Sequence, residues 1–404
     1  MKLIQRILVI DKKFQCGFLL LTMLFAGSWL QAATNTFFGT GANGNIWNRA
    51  QNWTPNGIPG ANDTAAFGLT SGSVTPLVDV PSAISNLVFN LGASAYALGG
   101  TSVLTVGNGI VNNGSLLQII NTSLALAGAQ TWNANMGNLT FGGNINNAGF
   151  PLTITGAAST SVGGIISGSG SVTKTGNGTL TLSAANTFSG GMTINGGSVL
   201  VNNTTGSATG SGSVVVNSGT LRGNGIITGG LTLNTPGRIS PGSATGSQRV
   251  ATLTTGNEIW NGGAAMTFEV KDAASTAGTG WDLISINGTL DLSALNSGNQ
   301  FSIDLTSISG NNPGNAANFN PNSTYQWTFL TTTGGIIGFQ ESAFNITTNG
   351  FSNPVNGNSQ FLISLVDGGN GLAITYVPEP STVALAILGA VVLAGQSFRR
   401  RHKK

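Results

Sequence analysis

The sequence predicts an all-β protein: a right-handed parallel β-solenoid with an N-terminal cap and a C-terminal β-domain. Three observations predict it. Glycine supplies 61 of 404 residues against 12 prolines, with Asn, Ser and Thr abundant and charged residues only 7%, so turn chemistry is spread along the whole chain. Short apolar–Thr–apolar segments recur at Leu104-Thr105-Val106, Leu139-Thr140-Phe141, Leu152-Thr153-Ile154, Leu180-Thr181-Leu182, Met192-Thr193-Ile194 and Leu231-Thr232-Leu233. Alternation at period two sends each apolar pair to one face and its threonine to the other. The body has no apolar stripe at helical spacing with caps.

The elements follow in chain order. Residues 1–33 carry a basic start, an apolar run from Gly17 to Gly27 and small residues at Ala32 and Ala33. That is a secretory signal peptide, expected to be cut by signal peptidase after Ala32 or Ala33. Its apolar run is shorter than the ~20 residues of a membrane span. Cys16, the only cysteine, leaves with it, so the exported body must be held by burial and hydrogen bonds rather than disulfides. Residues 34–80 hold Trp47, Trp53 and Phe67 amid Gly, Asn and Pro. They read as a cap, because solenoid ends expose strand edges and need covers.

Residues 81–250 read as the solenoid. The clearest unit, 170–202, has three short strands separated by glycine-marked turns. Such a unit cannot bury its own apolar face, whereas stacked copies bury a continuous one. A string of β-sandwiches is the competing reading. From 251 to 376 the acids return with Trp260, Trp281 and Trp327, and the alternation lengthens at Met266-Thr267-Phe268-Glu269-Val270 and Phe301-Ser302-Ile303-Asp304-Leu305. This C-terminal β-domain ends in a strand at 361–365 and a return at 371–376. Residues 377–404 join Pro378-Glu379-Pro380, an apolar stretch over 382–395 and a basic stop at Arg399, Arg400, Arg401, Lys403 and Lys404. The apolar stretch suffices for a short transmembrane segment across a thin bilayer, with the basic end cytoplasmic. An ordinary tail anchor is the alternative.

Charge and residue inventory exclude several functions. The formal charge of +3 comes from the two ends; residues 34–376 hold six basic and ten acidic residues, a net −4. That balance argues against nucleic-acid binding, which needs clustered Lys and Arg. The body has neither His nor Cys, His402 lying in the tail. Ser-His-Asp and Cys-His catalysis and His- or Cys-based metal sites are thereby excluded, and no cofactor, metal or catalytic residue is expected. No carboxylate occurs between Asp79 and Glu258, so Arg222 and Arg238, the candidate bases of a lyase, lack calcium ligands nearby. The late acids Glu258, Glu269, Asp272, Asp282, Asp291 and Asp304 offer a glycosidase pair at best, or plain surface solubility. Asp367-Gly368-Gly369-Asn370-Gly371 reads as a hairpin loop rather than a calcium turn. Trp47 and Trp53 are candidate glycan contacts if exposed, and cap core if buried.

Two resemblances add to this reading. Pro378-Glu379-Pro380 with its apolar segment and basic stop resembles the PEP-CTERM sorting domain over residues 377–404. That resemblance implies processing by exosortase, a membrane transpeptidase-like protease of Gram-negative bacteria, after transient membrane insertion. Thr175-Gly176-Asn177-Gly178-Thr179-Leu180-Thr181-Leu182-Ser183, with Asn186-Thr187-Phe188-Ser189-Gly190-Gly191-Met192-Thr193-Ile194-Asn195-Gly196-Gly197, resembles the autotransporter-associated β-strand repeat. It implies a solenoid passenger of a surface protein. No set of ~10-residue alternating strands that could close a membrane barrel follows. The expectation is an exported, non-enzymatic structural or adhesive protein of the cell surface or extracellular matrix, associated with exopolysaccharide. The alternative is a secreted carbohydrate-active enzyme using the late acids.

Overall fold

The computed structural model describes residues 32–39, 45–55, 57–70 and 75–379. Every segment predicted from the apolar–Thr–apolar pattern is a strand with its apolar residues buried and its threonine half-buried. These strands pair in parallel with equivalents about one coil away, not with their chain neighbours, and this distinguishes a solenoid from a string of sandwiches. Leu152 pairs with Val172, and Val172 with Met192, so a central coil takes 20 residues.

The longest ladder starts at Thr34–Phe37 and Thr64–Phe67 and runs through Gln130–Ala134, Leu152–Gly156, Val172–Lys174, Leu231–Leu233 and Glu258–Trp260 to Leu290–Asp291 and Ile336–Ile337. A second climbs from Gln118–Ile120 through Leu139–Phe141, Thr160–Val162 and Thr179–Leu182 to Arg238–Pro241, Ala265–Val270, Phe301–Ser309 and Phe344–Gly350. A third joins residues 104–106 to Leu124–Leu126, Ile145–Asn146 and Ile166–Ser167. Pairing passes residues 80 and 250 without a pause; the later coils lengthen instead, to 32 residues between Glu258 and Leu290 and 46 between Leu290 and Ile336. Among the described residues helix is confined to the 3-10 turns Ala50–Asn52, Glu341–Ala343 and Asp367–Gly369.

One continuous apolar cluster fills the bore. The clearest inward-facing column of the bore is Trp132, Ile154, Lys174, Ile194, Val216, Leu233 and Trp260, each in register with the next. Trp132 stacks on Phe141 at 4.3 Å and Trp260 on Phe301 at 4.2 Å, so two indoles brace the bore at either end of this run. Each is held by the side chain two residues before it. Trp132 Nε1 donates to Gln130 Oε1 at 2.7 Å, and Trp260 Nε1 donates to Glu258 Oε2 at 2.5 Å.

The glycine content has a packing cause. Coils stack about 4.8 Å apart, and their corners leave no room for a side chain. A Cβ on Gly170 would lie 2.0 Å from Phe150 O, one on Gly190 2.4 Å from Gly170 C, and one on Gly229 2.1 Å from Gly212 O. Above Gly170, glycine sits over glycine from one coil to the next through Gly190, Gly212 and Gly229.

Lys174 occupies an inward position between Ile154 and Ile194 and is 2% exposed. Its Nζ folds over the following turn and donates to the carbonyls of Thr175, Gly176 and Gly196. Burial pulls its pKa down from 10.5 to about 8. Between those two values the unfolded chain binds more protons than the folded one, so stability rises with pH there. The melting temperature of the wild type is expected to climb between pH 8 and pH 10. Lys174→Met should flatten that slope, and a slope of equal size in the variant would remove Lys174 as its source.

The two ends are closed by aromatic packing. Trp53–Thr54 pairs antiparallel with Thr34–Phe37 and covers the first strand edge. At the other end the expected strand and return pair antiparallel as Gln360–Val366 and Gly371–Val377, and the latter joins Tyr325–Thr332. Phe319, Tyr325, Trp327, Phe361 and Tyr376 pack together there.

Candidate functional site

The repeated outer face is the feature that the fold builds most regularly. Outward positions on the long ladder form the column Thr131, Thr153, Thr173, Thr193, Val215, Thr232 and Ile259. None of these threonine hydroxyls hydrogen-bonds within the described residues, so all are free to face a ligand or water. Beside the later coils runs an amide ladder. Asn217 Nδ2 donates to Asn195 Oδ1, Asn234 to Asn217 and Asn261 to Asn234, at 3.0, 2.8 and 2.8 Å. Each link uses one N–H of its amide and leaves the second unspent. A shallow open trough flanks Thr193 and Val215, floored by Gly190, Gly191 and Gly212.

Trp47 and Trp53 are fully buried, and this corrects their candidacy as glycan contacts. Their rings meet edge-on at 4.7 Å, and Trp53 Nε1 donates to Trp47 O at 2.8 Å. A sugar needs an open aromatic face, and these faces are spent on Phe37 and Phe67.

The late acids are engaged one by one. Glu258 points into the bore and accepts from Thr255 Oγ1 at 2.6 Å as well as from Trp260; burial lifts its pKa to about 7. Asp282 is buried and accepts from the backbone N–H groups of Ala251 and Glu269. Burial, then repulsion from Glu269, holds its carboxyl well above the usual range. Glu269 is paired with Arg249 and is 5% exposed. Asp304 is paired with Arg238 and accepts from Thr347 Oγ1. Asp272 accepts from Asn318, and Asp291 from the Ser293 N–H. Stacking thus brings Arg238 a carboxylate from two coils on, and the two form an ion pair.

Both ends of the body fall partly within the described residues. Thr34, immediately after the expected cleavage at Ala32 or Ala33, opens the first strand. At the other end Pro378 and Glu379 are described: the Glu379 N–H donates to Ser359 Oγ at 3.2 Å, and its carboxylate accepts from Asn358 Nδ2 at 2.8 Å. Pro380, the apolar stretch 382–395 and Arg399, Arg400, Arg401, Lys403 and Lys404 lie outside the described residues, as do residues 1–31. Among the described residues no helix is long and apolar enough to cross a membrane.

These features define a β-solenoid with a polar, repetitive outer surface. A family model, the passenger-associated transport repeat, matches residues 172–201, which span one coil and the start of the next. That segment is similar to a repeat associated with passenger-type surface proteins, as its Gly-rich turns indicated. No curated protein matches the chain.

Proposed function

We propose that this protein is an exported, non-enzymatic structural or adhesive component of the Gram-negative cell surface or extracellular matrix. Signal peptidase would free the start of the body near Thr34. Exosortase would act on the tail carrying Pro378, Glu379 and Pro380 after its brief passage through the membrane. The rod would then contact exopolysaccharide along its outer faces. The observation that carries this reading is the run of unpartnered hydroxyls on Thr131, Thr153, Thr173 and Thr193, one on each of four successive coils. Such a column offers many weak, identical contacts whose effects multiply along one polymer. The match of residues 172–201 to a passenger-associated repeat supports the surface destination. Engagement of the late acids in buried or ion-paired contacts supports the non-enzymatic part.

Fractionation of producing cells with mass measurement of the mature form tests the sorting. A trimmed species outside the inner membrane is expected. Replacing Pro378, Glu379 and Pro380 with alanine should leave a larger, membrane-held species. Equal size and location for both proteins would overturn exosortase processing, and sugar release from a polysaccharide panel would overturn the non-enzymatic part.

A further inference from the structure

The second ladder carries its own outward column: Thr140, Ser161, Thr181, Leu200 and Arg222, each in register with the next. The hydroxyls of Thr140, Ser161 and Thr181 make no hydrogen bond within the described residues. Arg222 ends this run, half-buried, with its Nε shut off from water and without a hydrogen-bond partner. Its neighbours in the field are Glu269, Arg238, Arg249 and Asp282. Two of those arginines are matched, Arg238 by Asp304 and Arg249 by Glu269. Asp282 spends its carboxyl on backbone N–H groups. Arg222 is therefore the guanidinium of the cluster with no ion pair. A half-buried guanidinium without an ion pair is a costly arrangement that an anion at its solvent-facing side relieves. The guanidinium fork suits a carboxylate, which it binds through two parallel hydrogen bonds.

The approach to Arg222 is equally telling. No acid occurs in the chain between Asp79 and Glu258, so the coils that lead up to it carry nothing to repel a polyanion. We propose that Arg222 and the hydroxyl column of Thr140, Ser161 and Thr181 form a binding face for a carboxylate-bearing polysaccharide lying along the stack. One uronate would sit on Arg222, and beyond the apolar Leu200 sugar hydroxyls would meet Thr181, Ser161 and Thr140 on successive coils, about 4.8 Å apart. This inference rests on the adhesive reading and gives it a ligand class.

The test uses the mature protein with polygalacturonate and dextran as immobilised probes. Wild type should be retained on polygalacturonate, with retention falling as salt rises. Arg222→Gln should weaken that retention at least tenfold without lowering the melting temperature. Should Arg222→Gln fold poorly, competition on the wild type decides instead: free galacturonate should elute it and glucose should not. Retention on polygalacturonate that survives Arg222→Gln, or that galacturonate and glucose disturb equally, overturns the assignment. Retention on dextran alone removes the anionic site and leaves the adhesive reading in place; retention on neither removes glycan contact from both.

Discussion

Glu258→Gln is expected to stabilise the protein by roughly 3 kcal/mol above pH 7 and to have almost no effect near pH 4.5. Glu258 is fully buried in the bore, and burial raises its pKa from 4.5 to about 7. The folded state therefore holds a proton that the unfolded state releases. The stability that this proton confers is complete below pH 4.5 and is lost as pH rises to about 7. Glutamine keeps the shape without the charge. Gln130, the equivalent residue on the same ladder, shows how it would bond: its Oε1 accepts from Trp132 while its Nε2 donates to Val106 O at 2.9 Å. In the variant the amide would accept from Trp260 and donate to Thr255. Denaturant unfolding at pH 5 and pH 8 checks this. A wild type equally stable at both, or a variant weaker at pH 8, would sink it.

Gly178→Ala should cost about 3 kcal/mol or more. A Cβ there would lie 1.9 Å from Ala158 O, backbone that belongs to the coil beneath. No flexible side chain can swing aside, so the coil itself must shift. Gly68→Ala is the control. Its Cβ would meet nothing within 4 Å, and a change within about 0.5 kcal/mol is expected. Equal effects in the two variants would mean that residues 158 and 178 do not stack, which would contradict the ladder joining Thr160–Val162 to Thr179–Leu182.

Strand positions were legible because alternation is a local signal. Leu152-Thr153-Ile154 reads the same in the chain as on the ladder, since one buried face forces period two. Lys174 shows the limit of that signal. By position it faces inward, yet a lysine in sequence suggests an outward side chain; the turn carbonyls that receive its Nζ belong partly to Gly196, a coil away. Arg222 and the asparagine ladder were hidden for a related reason. Asn195, Asn217, Asn234 and Asn261 are 22, 17 and 27 residues apart, and no fixed spacing announces them.

The amino-acid order alone determined the strand-rich class, the glycine corners and the near-absence of charge along the coils, because each depends on a few adjacent residues. Tertiary structure alone decided which side chains meet across coils: the burial of Trp47 and Trp53, the pairing of Arg238 with Asp304 and the isolation of Arg222. Those outcomes depend on register between coils of unequal length. Register is set by how the whole bore packs, not by any one segment.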